Sequence, residues 1–145
     1  MECISVFDML KIGVGPSSSH TLGPWRAAQR WVQELKTSNK FNSVESISVN
    51  LYGSLSLTGK GHATDLAIML GLSGADPETI STESIHSTID TIKTTKTLHL
   101  NNEKPINFNT KADIIFNKKF LPFHAIGLKF SAIGNGKITS STFYS

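Results

Sequence analysis

The stretch Ser46–Tyr52, SISVNLY, alternates apolar and polar residues along its whole length. Ile47, Val49 and Leu51 take one set of alternate positions, and serine and asparagine residues take most of the other. Successive side chains of a β-strand point to opposite faces, so the alternation predicts a strand that is buried on one face only.

An amphipathic helix is predicted just before this strand, over Pro24–Lys36. Proline suits the first helical position, because the N–H that it lacks has no partner there. Trp25 and Trp31 are expected in the core or at an interface. The apolar residues that follow the spacing of one helical face are Trp25, Ala28, Val32 and Leu35.

Further helices are predicted after the strand. The first follows Gly59–Gly61 and stops at Gly71 or Gly74. Asp76, followed by proline and glutamate, is predicted to cap the start of another helix. Isoleucines spaced by four and three residues predict a helix over Ser84–Lys96. The apolar face of the first of these helices is predicted to consist of Leu66, Ala67 and Leu70.

Five short strand-like runs occupy the rest of the chain, and turn signals such as Asn101-Asn102 and Gly134–Gly136 separate them. Closely spaced strands joined by such turns favour antiparallel pairing. The predicted fold is α+β, with N-terminal helices packed on a mainly antiparallel sheet. The five runs are Leu98–Leu100, Ile106–Phe108, Ile114–Phe116, Leu128–Phe130 and Ile138–Phe143.

The composition excludes several classes of protein. The 145 residues suit one domain, and the net charge of +3 comes from scattered basic residues, not from the concentrated patch of a nucleic-acid binder. Cys3 is the one cysteine, which excludes a disulfide framework and a thiolate-bound cluster within this chain. Met1–Lys11 lacks the features of a secretory signal, and no apolar run approaches a membrane span. We therefore expect a soluble cytoplasmic domain.

A loop rich in glycine and serine, Gly13–Thr21, precedes the first predicted helix and is called the serine loop below. Its hydroxyls, His20 and the backbone N–H groups at the helix N-terminus form a candidate site for a carboxylate or phosphate. Pro16 replaces the lysine of a nucleotide-binding loop, so nucleotide hydrolysis is not expected. The alternative is a turn whose hydroxyls only cap the helix. The hydroxyl side chains proposed to bind the anion are Ser17, Ser18, Ser19 and Thr21.

A second glycine-flanked motif, Gly59–Asp65, places His62, Thr64 and Asp65 at the start of the second helix. Neutral His62 can accept a proton near pH 7, because the unperturbed pKa of histidine is about 6.5. The alternative is an exposed histidine beside a capping threonine or aspartate.

The other histidines are assigned by their neighbours. His124 lies among apolar residues and is either a core residue or a third group of a pocket. His86 and His99 are interpreted as structural or solvated. A zinc site formed by His20, His62 and His124 is a further alternative, which their sequence spacing does not support.

Two long blocks, Ile4–Thr21 and Tyr52–Asp65, resemble the bacterial iron–sulfur L-serine dehydratases. The likeness covers essentially the whole chain in order. A third block, Leu121–His124, also matches, but the family usually follows this histidine with an acid or proline, asparagine and glycine. Here Ala125–Gly127 follows it.

The resemblance implies that residues 1–145 are the β domain or β chain of an L-serine ammonia-lyase. These enzymes convert L-serine into pyruvate and ammonia with a [4Fe-4S] cluster and without pyridoxal phosphate. The cluster cysteines lie in a separate α domain or α chain, so this chain alone is predicted to be inactive. The resemblance also implies a likeness to the allosteric substrate-binding domain of some phosphoglycerate dehydrogenases. We expect a homodimer or a larger assembly.

In the hypothesis built on this resemblance, His62 is the base that removes the α-proton of serine. Thr64 and Asp65 orient His62 or the substrate, and the serine loop holds the substrate carboxylate. His20 is a hydrogen-bond donor or secondary acid–base group, and His124 is a third candidate base. The alternative function is a non-catalytic regulatory domain that binds an amino acid and dimerises.

Overall fold

A computed structural model describes residues 21–53, 63–117 and 126–144. Within these ranges it contains three α-helices: α1 (Leu22–Thr37), α2 (Ala63–Leu72) and α3 (Thr82–Thr95). The strands of the same ranges are β1 (Ser46–Gly53), β2 (Thr97–Leu100), β3 (Lys104–Asn107), β4 (Ile114–Phe116), β5 (Ile126–Gly134) and β6 (Lys137–Tyr144). This arrangement confirms the predicted α+β fold.

Strand β1 is an inner strand of a four-stranded sheet with the order β4-β1-β5-β6. It pairs antiparallel with β5 over its full length, from Ser46 opposite Ile133 to Gly53 opposite Ile126. Strand β6 pairs antiparallel with β5, while β2 and β3 form a separate hairpin. The sheet is mainly antiparallel, as predicted, but β4 runs parallel to β1. The helices and the hairpin between β1 and β4 supply the long crossover that a parallel pair needs.

The predicted alternation of β1 is confirmed. Ile47, Val49 and Leu51 are at most 2% exposed, whereas the side chains between them are half-buried. Leu128 and Phe130 of β5 lie opposite Leu51 and Val49, so the apolar face continues across both strands. This face is the floor of the hydrophobic core.

Helix α1 is joined to this sheet by aromatic contacts. The ring of Trp31 stacks on Phe130, with centroids 5.0 Å apart, and Phe143 meets Phe130 edge-on at 5.7 Å. Such pairs contribute about 0.5–1.5 kcal/mol beyond the area that they bury. The helix begins at Leu22, so Pro24 is its third residue and not its first as predicted. The predicted face is confirmed as buried at Trp25, Ala28, Val32 and Leu35.

Helix α2 is buried on most of its sides, more fully than the predicted single face, and Leu66 is only partly buried. A helix that is apolar all round is typical of a core position. Gly71 lies within α2, where a Cβ would stand 2.5 Å from the carbonyl oxygen of Trp25 and 2.7 Å from Cβ of Ala28. Glycine therefore permits the close packing of α1 on α2. The fully buried side chains are Ala67, Ile68, Met69, Leu70 and Leu72.

The prediction of a helix that starts at Asp76 is wrong, because this segment forms a turn. Oδ1 of Asp76 accepts a hydrogen bond from the N–H of Glu78 at 2.8 Å. An aspartate that bonds the second N–H ahead closes a local turn without starting a helix. Helix α3 begins later, where Oγ of Ser81 caps it by accepting from the N–H of Ser84 at 3.1 Å. The predicted face of α3 is confirmed as buried at Ile85, Ile89 and Ile92.

The two hairpins turn at the predicted positions. Asn101-Asn102 and Asn135-Gly136 have positive φ at both residues, from 52° to 72°. This conformation matches the twist of paired strands, and it occurs in the two-residue connection of β5 and β6 and in the three-residue connection of β2 and β3. Lys36 of α1 and the amide of Asn101 both donate to the carboxylate of Glu103. The hydrogen bond from Lys36 is the largest of the influences that hold the pKa of Glu103 below its usual range, followed by the hydrogen bond from Asn101.

Gly71→Ala is expected to reduce the free energy of unfolding by about 1–3 kcal/mol, because the added methyl group forces α1 and α2 apart. Urea unfolding followed by tryptophan fluorescence measures the change. Gly23→Ala, at an exposed position of α1, is the control and is expected to leave stability unchanged or raise it. Equal unfolding midpoints for Gly71→Ala and the wild type would contradict the close packing.

Candidate functional site

Three strand ends meet at one edge of the four-stranded sheet. Because β1 and β4 are parallel, their carboxyl ends, Gly53 and Phe116, point towards the same edge. Ile126, the first residue of β5, pairs with Gly53 at this edge. The segments 54–62 and 118–125 are therefore both attached here, although they lie outside the described residues.

The structure describes three of the nine predicted site residues. Thr21 immediately precedes α1, while Thr64 and Asp65 lie in the first turn of α2. Their positions confirm that each motif leads into a helix. The roles assigned to them remain predictions. The predicted site residues that lie outside the described residues are Ser17, Ser18, Ser19, His20, His62 and His124.

Two threonines are the buried polar side chains of the described part of the chain. Thr21 is 3% exposed and Thr64 is 1% exposed. Neither is left without a partner, and no buried side-chain nitrogen or oxygen within the described ranges lacks one. Burying a hydroxyl costs free energy unless it is hydrogen-bonded. Both threonines are therefore buried with their hydroxyl groups partnered.

The start of α1 is suited to an anion. The side chain of Thr21 makes no capping hydrogen bond to the helix, and the first turn contains no acidic residue. The carbonyl oxygen of Thr21 accepts a hydrogen bond from the N–H of Trp25 at 3.1 Å. The alternative, in which the serines of the loop cap the helix, concerns residues outside those described and stays open. No acidic side chain of the first turn offsets the positive end of the helix dipole, which favours negative charge.

Asp65 lies in the first turn of α2 and is half-buried. Its Oδ1 accepts a hydrogen bond from the N–H of Leu66 at 3.0 Å, and a carboxylate in a first turn is stabilised by the helix dipole. Asp65 also lines a cleft of about 910 Å³ together with Phe116 of β4. The carboxylate therefore lies between the beginning of α2 and the sheet edge.

Two side chains of α1 bond the segment that follows α2. Nε1 of Trp25 donates to the carbonyl oxygen of Ala75 at 2.8 Å, and Nε2 of Gln29 donates to the same oxygen at 3.0 Å. Together with the close contact at Gly71, these bonds position the two helices whose first turns carry the site residues. Sequence reasoning missed this contact, because a backbone carbonyl acceptor leaves no signal in the residue types.

No set of three or more His, Cys, Asp or Glu residues in the described ranges is arranged to hold a metal ion. The histidines of the zinc alternative lie outside those ranges. His86 and His99 are exposed, which agrees with the solvated of the two predicted interpretations. Within the same ranges, no helix has the length and apolar character needed to cross a membrane.

The chain matches the family model for the serine dehydratase beta chain over residues 5–145. It is 40% identical to the L-serine dehydratase of Haemophilus influenzae over 145 residues, which are 98% of this chain and 32% of that protein. The L-serine dehydratase of Streptomyces coelicolor is 41% identical, and L-serine dehydratase 2 of Escherichia coli is 42% identical, with the same coverage.

The chain therefore belongs to the serine dehydratase beta chain family, as the sequence resemblance implied. It spans 32% of the length of these curated relatives. Iron–sulfur clusters are held by several cysteine thiolates. Because this chain contains a single cysteine, its own donor set does not fit such a cluster.

Thr64→Val is expected to lower the free energy of unfolding by about 1–3 kcal/mol, since valine keeps the shape of threonine but removes a buried hydroxyl together with its interaction. Urea unfolding monitored by circular dichroism measures the loss. Thr94→Val is the matched control, because Thr94 is exposed on α3, and it is expected to change the free energy of unfolding by less than about 0.5 kcal/mol. Equal losses in the two variants would show that the Thr64 hydroxyl is energetically neutral.

Proposed function

We propose that this chain is the β part of an L-serine ammonia-lyase, and that an α domain or α chain supplies the iron–sulfur cluster. The observation that supports the proposal most is the burial of Thr21 and Thr64 at the beginnings of two packed helices. Both belong to the motifs through which the chain resembles this family. The relatives named L-serine dehydratase are 40–42% identical over 98% of this chain, which includes both motifs.

In this proposal, the serine loop binds the carboxylate of L-serine at the start of α1. Neutral hydroxyl and N–H donors suit a carboxylate, because they stabilise its charge without a fixed counter-ion. The lack of an acidic residue in the first turn of α1 and the lack of a capping bond from the Thr21 side chain support this role. His20 adds a donor or a secondary acid–base group beside Thr21.

The proposed base is His62, directly before the first residue of α2. Its imidazole takes the proton from Cα of serine, and the Cα–H electron pair forms the double bond to Cβ as the Cβ–O bond breaks. The hydroxyl leaves with a proton as water. The resulting enamine becomes an imine, and one water molecule hydrolyses it to pyruvate and ammonia. Thr64 and Asp65 orient His62 or the substrate, and His124 is the next candidate for the base.

We further propose that the chain is inactive without its α part, because the cluster ligands are not among its residues. The assembled enzyme is proposed to be cytoplasmic, to work without pyridoxal phosphate, and to form a homodimer or a larger assembly. These statements rest on the family to which the chain belongs and on its single cysteine.

His62→Ala in the enzyme assembled with its α part is expected to lower kcat by about 10²–10⁴, which is the usual loss when a general base is removed. Steady-state pyruvate formation from L-serine measures this change. His86→Ala is the matched control, because His86 is exposed on α3 and has no role in the proposed site. Activity of His62→Ala within about tenfold of that of His86→Ala would exclude His62 as the base.

The combined variant Ser17→Ala, Ser18→Ala, Ser19→Ala is expected to abolish L-serine binding to the assembled protein. The physical reason is the loss of the donors that replace water around the carboxylate. Isothermal titration with L-serine measures the binding. L-serine binding that survives unchanged would instead favour the regulatory alternative, in which the amino acid occupies a separate site.

A further inference from the structure

A cleft of about 910 Å³ runs along the edge strand of the sheet, beside the candidate site. Its walls are the first turn of α2, the end of α3, the loop 109–111 and strand β4. It is called the lysine cleft below. Its lining includes Asp65, Lys93, Lys96, Lys111, Ile115 and Phe116.

The lysine cleft carries basic groups without carboxylate partners. Lys93, Lys96 and Lys111 are exposed, and none of them forms an ion pair in the described part of the chain. Lys93 and Lys96 lie at the carboxyl end of α3, where the helix dipole by itself favours a cation. That explanation does not apply to Lys111, which comes from a separate loop and lines the same cleft.

The floor of the lysine cleft is apolar. Ile115 of β4 is 40% exposed, and Phe116 beside it is half-buried. Strand β4 is at the edge of the four-stranded sheet and pairs only with β1 among the described strands. An apolar floor with a charged rim is typical of protein–protein interfaces. Exposed lysines and the negative end of the α3 dipole suit a small buried anion less well.

We propose that the lysine cleft is the surface on which the α part of the enzyme docks, through a segment with acidic side chains and an apolar side chain over Ile115. The inference rests on the proposed function. Charge complementarity argues for an acidic partner segment, because three cations line the cleft against one carboxylate, Asp65. The chain spans only 32% of its relatives' length, and Asp65 belongs to both the cleft and the candidate site. An α part docked in the lysine cleft lies beside the candidate site, to which it contributes the cluster in the proposed enzyme.

The test uses the α part and this chain, produced separately and then assembled. The variant Lys93→Glu, Lys96→Glu, Lys111→Glu is expected to raise the Kd for the α part by about 100-fold or more, because charge reversal places like charges against the acidic segment. The control, Arg30→Glu, Lys40→Glu, Lys137→Glu, makes the same charge change at exposed positions outside the cleft. It is expected to bind the α part within about threefold of the wild type.

A variant with a smaller change in charge distinguishes weaker binding from misfolding. Lys93→Met, Lys96→Met, Lys111→Met removes the charges without reversing them and is expected to weaken the salt dependence of the Kd measured between low and high ionic strength. Ile115→Asp tests the apolar floor and is expected to raise the Kd by about tenfold or more. Circular dichroism confirms the fold of each variant before binding is measured.

The outcomes separate this inference from the proposed function. If all cleft variants bind the α part as tightly as the control does, while the wild-type assembly converts L-serine, the docking surface is wrong and the proposed function stands. If the wild-type chain neither binds the α part nor supports activity, the proposed function itself fails. If inorganic phosphate saturates the cleft without weakening the binding of the α part, the cleft is an anion site and the docking proposal is overturned.

Discussion

Strand β1 is hydrogen-bonded on both sides, and the rest of the domain depends on this double pairing. It meets β5 antiparallel over eight residues and β4 in parallel over three. The antiparallel pairing extends the apolar face of Val49 and Leu51 into β5, where α1 packs through Trp31. The parallel pairing brings the end of β4 to the end of β1. One strand thus determines both the floor of the core and the edge that carries the candidate site.

The helices convert this sheet into a support for polar residues. Helix α2 is buried on most sides and packs against α1 at Gly71 without an intervening side chain. Helices this close have little freedom to shift, because a well-packed interior leaves no space for rearrangement. The starts of both helices, with the buried Thr21 and Thr64, are therefore held in fixed positions. Fixed donors are the form of support that a binding or catalytic site requires.

Much of this arrangement is predictable from periodicity alone. The alternation in β1 and the spacing of Trp25, Val32 and Leu35 in α1 lead directly to the observed burial. The parallel pairing of β4 is not predictable in this way, because three apolar residues show that a strand exists and not which strand is its partner. At Asp76, the same side-chain chemistry that caps helices also closes turns, and only the position of the real cap, Ser81, distinguishes the two.

The candidate site was predictable in its helix starts but not in its supports. Glycine and hydroxyl motifs before apolar runs indicate Thr21, Thr64 and Asp65, and the structure places them in or directly before the first turns of α1 and α2. The sequence does not indicate the hydrogen bonds from Trp25 and Gln29 to the carbonyl of Ala75, because they depend on where the fold places that backbone carbonyl. The lysines around β4 come from separate elements, so only the folded chain brings them together.

The length of the β1–β5 pairing also affects how the domain folds. Ser46 faces Ile133, so the two strands come from distant parts of the chain. Contacts between distant residues form slowly, because a long loop must close before any pairing energy is gained. During synthesis, the apolar face of β1 remains without its main partner until β5, Ile126–Gly134, has been made. The pairing of β1 with β5 is thus among the last contacts to form. Until it forms, the unpaired edges of β1 are exposed to wrong pairing.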